Sequence, residues 1–302
     1  MSELVSLVAV AYNSADLLPS FLDALASSGD TGFELVVVDN ASTDGTLALL
    51  ESAAGRLPFA LRAVEAGANL GFGRACNLGA AHAGGELLVF MNPDVRVLPG
   101  WLAGLRASSA RFPDALICPT TLAPEEQRQP TPALQQVAAI PGAAMLVRRA
   151  VWRELGGFDE HFFMYWEDTE LCWRAWLLGF QVLADLGTFV RHQRGGSAGG
   201  SRWDAERARN SLRTYLKLMR WRRALPFALL LAAKTAVKFA RWRDPALLDA
   251  WRWNARHLGA TLAERRALAR RRRGDPALLE RRAATLERRL RAERAARRRA
   301  GA

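Results

Sequence analysis

The sequence predicts an α/β protein with a mainly parallel sheet, covered by helices on both faces and followed by a basic helical extension. Short, uniformly apolar runs alternate with segments of helical periodicity over the first two hundred residues. Strands that are apolar on both faces are typical of parallel sheets buried between helices. Two of these runs lead into aspartates, Asp39 and Asp94. Ligands of such sheets bind beyond the carboxyl ends of the strands, so both carboxylates are expected where a ligand lies.

The predicted elements follow one another along the chain. Apolar runs predict strands at residues 5–11, 34–39, 61–65, 87–91, 115–118, 140–147 and 182–190. Helical spacing predicts helices at residues 15–27, 42–50, 75–83, 99–112, 151–155 and 167–178. Ser42, Thr43 and Asp44 are candidate caps for the second helix. Residues 123–137, rich in Pro, Gln and Glu, predict an exposed loop, and residues 195–200 predict a mobile one.

Charge divides the chain into two parts. Residues 1–200 carry 13 arginines, no lysine and 21 acidic residues, a net charge of −8, whereas residues 201–302 carry a net charge of +20. We therefore predict a globular domain over residues 1–200, an amphipathic helical region over 201–260 and an arginine-rich helical tail over 261–302. A basic extension on an acidic globule points to a polyanionic surface as its partner.

The 201–260 region combines apolar, aromatic and basic residues. Its longest apolar run, at 224–233, has ten residues, well short of the about 20 that span a bilayer. The residues after this run include Lys234, Lys238, Phe239, Arg241 and Trp242. Such a composition suits an amphipathic helix that lies in a membrane interface and is attracted by anionic lipid. The alternative is a helical hairpin packed on the globular domain, and the two are compatible.

Three features narrow the class of protein. The scattered cysteines Cys76, Cys118 and Cys172 form no CxxC pair, so we expect neither a disulfide framework nor a zinc site and predict a cytoplasmic location. The N-terminal segment lacks a basic region and a cleavage site, and we interpret it as a strand and not as a signal peptide. A GxxxxGK[ST] motif and a GxGxxG motif after the first strand are both absent from the sequence, which argues against P-loop and dinucleotide-binding proteins.

Carboxylates at the predicted ligand edge suit two kinds of chemistry. Asp94 could hold a hard divalent cation, Mg²⁺ or Mn²⁺, together with substrate phosphates, and His192 could add a ligand or contact phosphate. Glu167 and Asp168 open a predicted helix whose dipole favours ionised carboxylates, so one of them is poised to accept a proton from a hydroxyl. Taken without context, Asp39 and Asp94 could equally be turn residues, and a lone histidine is more often structural.

Six segments, in order, resemble the family 2 glycosyltransferases, which have a GT-A fold, and within them the bacterial rhamnosyltransferase-like branch. They are VAYNSADLL at 10–18, VVVDNASTDGT at 36–46, NLGFGRACNLGAA at 69–81, LLVFMNPDV at 87–95, the stretch from PGAAML to WLLGF at 141–180, and VRH at 190–192. They follow the family order over roughly two-thirds of the chain, which makes the series far more specific than any one segment.

The resemblance implies how the donor would be held. The nucleotide would be bound by Tyr12, Asn13, Asp39, Asn69, Gly71, Asn77 and Arg194. Asp94 would hold Mg²⁺ or Mn²⁺ at the donor diphosphate, with His192 beside it. The paired aspartates of the family appear here as Asn92-Pro93-Asp94, so this chain keeps one metal carboxylate where the family has two.

The resemblance also implies the acceptor side. Asp168, with Glu167 as its neighbour, would be the base that deprotonates the acceptor hydroxyl, and Gly142 and Trp166 would contact the sugar or the acceptor. The implied activity is inverting transfer of a sugar, with rhamnose favoured, from a nucleotide-diphosphate sugar. The implied acceptor is a lipid-linked saccharide or cell-surface glycan of polysaccharide or cell wall biosynthesis, which places the protein at the inner face of the cell membrane.

Other donors and other function classes stay open at this point. A UDP-hexose or a furanose donor would use the same fold. From a different class, the basic extension could belong to a nucleic-acid- or membrane-binding protein without catalysis. The acidic globular part argues against a nucleic acid partner, and the joint presence of Asp39, Asp94 and Asp168 argues against a binding-only relative. The sequence does not indicate an oligomeric state.

Overall fold

The structure, a computed structural model, describes residues 3–192, 201–243 and 245–300. The described residues form two compact units, of which the first takes 3–136, 140–168 and 183–192. The second takes 137–139, 169–182, 201–243 and 245–300. The predicted division after residues 200 and 260 stays a prediction, and the predicted 195–200 loop lies outside the described residues.

The first unit is built on a sheet of nine strands among the residues that the structure describes. The strands are β1 (Val5–Ala11), β2 (Phe33–Asp39), β3 (Ala60–Glu65), β4 (Leu87–Met91), β5 (Val95–Val97), β6 (Ala115–Leu122), β7 (Leu134–Gln136), β8 (Ala144–Arg148) and β9 (Gln181–His192). They lie in the order β3-β2-β1-β4-β8-β6-β9-β5, with β7 paired to β9. β3, β2, β1 and β4 are parallel, whereas β8 is antiparallel to β4 and β6, and β9 is antiparallel to β5 and β7. The predicted α/β class with a parallel central sheet is confirmed.

Eleven helices complete the described part of the chain. They are α1 (Leu18–Ala26), α2 (Thr46–Ala53), α3 (Phe72–His82), α4 (Trp101–Arg111), α5 (Arg149–Leu155), α6 (Glu167–Leu177), α7 (Ser201–Leu218), α8 (Trp221–Trp242), α9 (Ala246–Arg256), α10 (Leu258–Arg271) and α11 (Pro276–Ala300). The prediction that the second helix starts at residue 42 was wrong by four residues, and the three-residue strands β5 and β7 were not predicted.

Parallel pairing aligns the ends of the central strands. Ala11 pairs with Asp39, and Asp39 pairs with Glu65, while Ala9 pairs with Met91. β1, β2 and β4 are almost wholly buried, which explains their continuous apolar sequences. Residues that follow these strands therefore emerge at one edge of the sheet.

The packing of α3 on this sheet is close. Gly79 faces β1 and β2, and a Cβ atom there would lie 2.5 Å from Val8 Cγ1 and 3.0 Å from Val38 Cγ2. The Arg149 guanidinium donates hydrogen bonds to three backbone carbonyls at and beyond the C-terminal end of α3. A cation at that end satisfies carbonyls that the helix leaves open, so Arg149 fastens α3 in place.

The three cysteines are buried and free. Burial raises the pKa of the Cys118 thiol to about 12. Burial also raises the pKa of Cys76, helped by the charge of Glu167. These two thiols therefore stay protonated and act as small core side chains.

A buried ionic network links α6, α7 and α10 within the second unit. Glu170 has no exposed surface and accepts hydrogen bonds from Arg174 Nε at 3.0 Å and Lys217 Nζ at 2.9 Å. Lys217 also lies 2.9 Å from Glu264, which pairs with Arg213 Nη2 at 2.7 Å. Removing one member of a buried ion pair costs about 3–5 kcal/mol, so each charge here requires its partners. Among the described helices, none combines the length and apolar character needed to cross a membrane.

The contact between α3 and the sheet predicts the effect of one methyl group. We expect Gly79→Ala to lower the free energy of unfolding by about 1–2 kcal/mol, because the displacement of Val8 outweighs the gain in helix propensity. Gly259→Ala is the matched control: in α10, a Cβ atom at Gly259 meets nothing within 4 Å, and we expect a gain of about 0.5 kcal/mol. Urea unfolding followed by circular dichroism measures both, and equal stability of the two variants would contradict the close packing.

Candidate active site

The loops after β1 and β2 are tied to each other at the edge where these strands end. Asn13 N donates to Ser42 Oγ at 2.9 Å, and Asn13 Oδ1 accepts from Thr43 N at 2.8 Å. Ala15 N donates to Asp44 Oδ2 at 3.0 Å. Ser42 and Thr43 thus bridge two loops, whereas Asp44 also accepts from Thr46 N at 3.1 Å at the start of α2, which begins four residues later than predicted.

Asp39 is a buried carboxylate with one oxygen that the described chain leaves unused. Its side chain is 4% exposed, and Oδ2 accepts a hydrogen bond from Ser42 N at 3.3 Å. Oδ1 is buried and has no hydrogen-bond partner among the described residues. An unpaired buried acceptor costs about 1–3 kcal/mol, so a ligand that donates to Oδ1 would relieve this cost. Tyr12, which follows the neighbouring strand, is 51% exposed and is accessible to the same ligand.

Asn40 joins the end of β2 to the turn before α3 and was not among the predicted site residues. Its Nδ2 donates to Asn69 Oδ1 at 3.0 Å, and its Oδ1 accepts from Leu70 N at 2.8 Å. Asn69 Oδ1 also accepts from Gly71 N at 3.1 Å. Asn40 could have been predicted from its position, because it directly follows the aspartate at the end of a strand. A buried amide at such a position can donate and accept hydrogen bonds at the same time and so join two loops.

The turn at Gly71 lies directly against the segment before α6. Gly71 has a φ of +78°, and a Cβ atom there would lie 2.1 Å from the carbonyl oxygen of Phe163. Phe72 N donates to the same oxygen at 2.9 Å. Tyr165 and Trp166 then adopt φ values of +69° and +75°. Such conformations cost about 1–3 kcal/mol each and collect at functional sites, so the backbone that leads to Glu167 and Asp168 is held under strain.

The two predicted catalytic carboxylates lie in the first turn of α6, as expected, because α6 begins at Glu167. Gly142 N donates to Asp168 Oδ2 at 3.3 Å. A Cβ atom at Gly142 would lie 2.9 Å from Phe72 Cε1 and 3.9 Å from Asp168 Cβ. The structure therefore brings Gly142 and Asp168 together. Glu167 is buried at 8% exposure, whereas Asp168 is partly exposed and better placed to reach a substrate.

The two predicted metal ligands also meet. Val95 pairs with His192 where β5 joins β9, and His192 Nε2 lies 3.0 Å from Asp94 Oδ1. Both side chains are about one-fifth exposed, at 19% and 20%. Within residues 3–192, 201–243 and 245–300, no group of three or more His, Cys, Asp or Glu side chains is arranged to hold a metal. The Asp94 carboxylate nevertheless fits Mg²⁺ or Mn²⁺, which bind through one or two protein ligands and complete their coordination with substrate phosphates and water, and the His192 imidazole fits Mn²⁺.

The side-chain amide of Asn77, a predicted nucleotide contact, is hydrogen-bonded within the fold. Asn77 Nδ2 donates to the carbonyl oxygen of Phe158 at 3.0 Å, and Asn77 Oδ1 accepts from Phe158 N at 2.9 Å. Both amide atoms thus fasten α3 to the turn after α5, and a contact of Asn77 with the nucleotide stays a prediction. Arg194 lies outside the described residues.

Comparison with known sequences identifies a family. The family model "Glycosyl transferase family 2" matches residues 6–187. The chain is 28% identical to the N-acetylglucosaminyl-diphospho-decaprenol L-rhamnosyltransferase of Mycobacterium tuberculosis, over 66% of this chain and 79% of that protein. It is also 28% identical to the O-antigen biosynthesis protein RfbC of Myxococcus xanthus, over 64% of this chain and 17% of that protein.

Solved structures show the same fold. The mannosyltransferase PcManGT from Pyrobaculum calidifontis, in complex with GDP-Man and Mn²⁺, matches with a TM-score of 0.60 and 22% identity, over 89% of this chain and 81% of that chain. GalNAc-T7 with UDP, GalNAc and Mn²⁺ matches with a TM-score of 0.64 and 16% identity, over 74% of this chain and 49% of that chain. At these identities the likeness bears on the fold alone, and it confirms the GT-A class expected for the sheet and its helices.

The approach of Gly71 to Phe163 predicts a large effect of a single Cβ atom. We expect Gly71→Ala to lower the free energy of unfolding by about 2–3 kcal/mol, because it adds a clash with a backbone carbonyl to the strain of a positive φ. Gly67→Ala is the matched control, since Gly67 has a φ of +70° with nothing within 4 Å of a Cβ atom. Its cost is limited to about 1 kcal/mol of backbone strain. Unfolding curves that give the two variants the same stability would contradict the contact with Phe163.

Proposed function

Since this chain belongs to glycosyl transferase family 2 and is a glycosyltransferase, we propose that it transfers a sugar, with inversion, from a nucleotide-diphosphate sugar to a hydroxyl of a lipid-linked saccharide or cell-surface glycan. Rhamnose is the favoured sugar because the Mycobacterium tuberculosis relative is named a rhamnosyltransferase that uses a diphospho-decaprenol acceptor. The observation that carries the proposal is the buried Asp39, whose Oδ1 has no partner among the described residues. Asp39 lies at the edge of the sheet from which the turn to Asp94 also emerges.

In this proposal the donor nucleotide lies at the ends of β1 and β2. Asp39 Oδ1 accepts a hydrogen bond from the base or the ribose, and Tyr12 and Asn13 flank the same group. The Asn40–Asn69 hydrogen bond holds the Gly71 turn as the wall of this pocket. Because these side chains are already bonded to one another, little ordering is needed when the nucleotide binds.

The diphosphate of the donor would lie at Asp94 and His192. These residues would hold Mg²⁺ or Mn²⁺, and the Mn²⁺ bound in the complexes of PcManGT and GalNAc-T7 is consistent with such an ion. When bound, the cation would neutralise charge on the departing nucleoside diphosphate. Asp94 and His192 already lie 3.0 Å apart, so the chain brings both ligands to one point without the ion.

Asp168 would act as the general base. It accepts the proton of the acceptor hydroxyl while the acceptor oxygen forms a bond to the anomeric carbon, and the bond from that carbon to the diphosphate oxygen breaks. The hydrogen bond from Gly142 N to Asp168 Oδ2 orients the carboxylate, and Trp166 would contact the acceptor. Attack from the side opposite the diphosphate inverts the configuration at the anomeric carbon.

The acceptor class also bears on location. A saccharide linked to a membrane lipid is reached from the membrane surface, so we propose a cytoplasmic, peripheral location at the inner face of the cell membrane. The net charge of +20 over residues 201–302 supports attraction of this region to anionic lipid.

Donor binding tests the proposal first. Calorimetry with dTDP-, UDP- and GDP-sugars, with and without Mg²⁺ or Mn²⁺, should give one donor class that binds more tightly with the ion. We expect Asp39→Asn to weaken that binding about 10- to 100-fold, because it replaces a charged acceptor of the nucleotide. Asp23→Asn, an exposed change on α1, is the control, and Asp94→Ala should abolish the effect of the ion. If none of the nucleotide sugars binds, with or without either ion, this edge of the sheet is not a donor site.

Asp168→Asn separates catalysis from binding. The amide oxygen can still accept from Gly142 N, so we expect donor affinity to stay within about threefold while the transfer rate falls about 10²- to 10⁴-fold through loss of the base. Glu160→Gln, at an exposed position before α6, should leave both quantities unchanged. Transfer by Asp168→Asn within tenfold of the original chain would exclude Asp168 as the base.

A further inference from the structure

Helix α8 presents an apolar face to solvent. Its large exposed hydrophobic side chains are Leu225 (53%), Leu229 (71%), Leu230 (48%), Val237 (62%) and Phe239 (36%). The neighbouring alanines at 232, 233, 236 and 240 are exposed as well. A surface helix of a soluble protein normally turns polar residues outward, so this face requires a partner.

The opposite side of α8 explains how the helix is held in the second unit. Ala224, Leu231 and Thr235 recur at helical spacing and are buried or half-buried. Between them, Phe227 stacks on Tyr215 of α7 with ring centroids 3.8 Å apart. Because this stripe already packs against the neighbouring helix, the apolar face is additional to the core. From residue 225 to residue 240 it extends for about 24 Å at the rise of an α-helix.

The charged residues of the α8 segment itself are all basic. Residues 221–243 contain six basic residues and no acidic residue. Lys234 is exposed at the margin of the apolar face and Arg241 near the C-terminal end of the helix. Arg222, near the N-terminal end, pairs with Glu280 at 3.0 Å. Lys238 lies on the inner side, where its Nζ is 2.9 Å from Asp204 Oδ2. An apolar face with a basic margin is the pattern of a helix that lies in the plane of an anionic membrane.

We propose that the face of α8 formed by Leu225, Leu229, Leu230, Val237 and Phe239 inserts into the interface of an anionic lipid bilayer, with Lys234 and Arg241 at the headgroups. The helix lies in the surface and does not cross it, in agreement with the absence of a membrane-spanning helix from the described residues. The evidence for this inference comes from α8 alone. Its purpose, access to a lipid-linked acceptor, rests on the proposed function.

A second copy of the chain is a less suitable occupant of this face. In a symmetric dimer the same face meets itself, so the basic residues at its margin, Lys234 and Arg241, would approach those of the other helix with no acidic residue of α8 between them. Like charges at a desolvated contact oppose association. Anionic headgroups supply the missing negative charge.

Vesicle flotation of the full chain tests the proposal. The unmodified protein should float with vesicles of phosphatidylglycerol and phosphatidylcholine in equal amounts. The fraction that floats with phosphatidylcholine alone should be about tenfold lower, because basic residues near the surface contribute to binding. Leu229→Glu with Val237→Glu should weaken flotation on the anionic vesicles at least about tenfold, since two charges enter the apolar face.

The matched control places the same charges on other exposed hydrophobic positions. Leu258→Glu with Leu290→Glu, at 41% and 39% exposure, should stay within about threefold of the original chain. Absence of flotation by the original chain, or equal loss in both double variants, would overturn the proposal. Light scattering provides a further test. If the unmodified protein is a dimer and Leu229→Glu with Val237→Glu makes it a monomer, a second copy covers the face and the proposal is overturned.

A fluorescent label gives an independent readout at one position. The three native cysteines are buried, so an introduced Leu229→Cys is the accessible thiol for an environment-sensitive dye among the described residues. Its emission should shift to the blue when anionic vesicles are added, whereas Leu258→Cys should show no shift, and equal emission from both would count against insertion.

Donor affinity, measured without vesicles, should be unchanged in Leu229→Glu with Val237→Glu. Failure of donor binding therefore refutes the enzyme proposal alone, and failure of flotation refutes the membrane proposal alone.

Discussion

Parallel pairing of β1 with both β2 and β4 is the constraint on which the candidate active site depends. Parallel neighbours end at the same edge, so the residues that follow them meet in space although they are far apart in sequence. Asp39 and the turn that leads to Asp94 are brought to one edge in this way. The strands behind that edge are buried, and their low dielectric strengthens the action of each carboxylate on a bound ligand.

Side-chain amides hold the loops at this edge. Asn13, Asn40 and Asn77 each bond to backbone or side-chain groups of another segment, and Asn40 bonds to Asn69 in turn. An amide can donate and accept at the same time, so one residue satisfies both polar atoms and joins two loops. The site is therefore positioned by hydrogen bonds across the loops as well as by the sheet beneath them, which suits a site that binds a flexible nucleotide sugar.

Burial and pairing explain which features the sequence could predict. β1 and β4 were predicted to the residue because buried parallel strands are continuous apolar runs, and the strand-end carboxylates followed from them. The start of α3 at Phe72 was missed because its backbone N–H is bonded to Phe163, a contact that no local pattern contains. β5 and β7 have three residues each, too few to show the hydrophobic pattern from which a strand is predicted. Both are defined by their pairing with β9. Asn40 was missed for the same reason, since its importance comes from Asn69.

The position of β9 has a consequence for the order in which the enzyme assembles during synthesis. β9 lies between β6 and β5, yet it is the last strand of the sheet to leave the ribosome. Pairing across about a hundred residues is slow, and the nascent sheet exposes an unpaired strand edge until β9 arrives. The bonded loops after β1 and β2 can form early, whereas His192 reaches Asp94 only when β9 is inserted. Translation thus separates in time the formation of the two parts of the candidate site, and an unpaired strand edge is exposed in the interval between them.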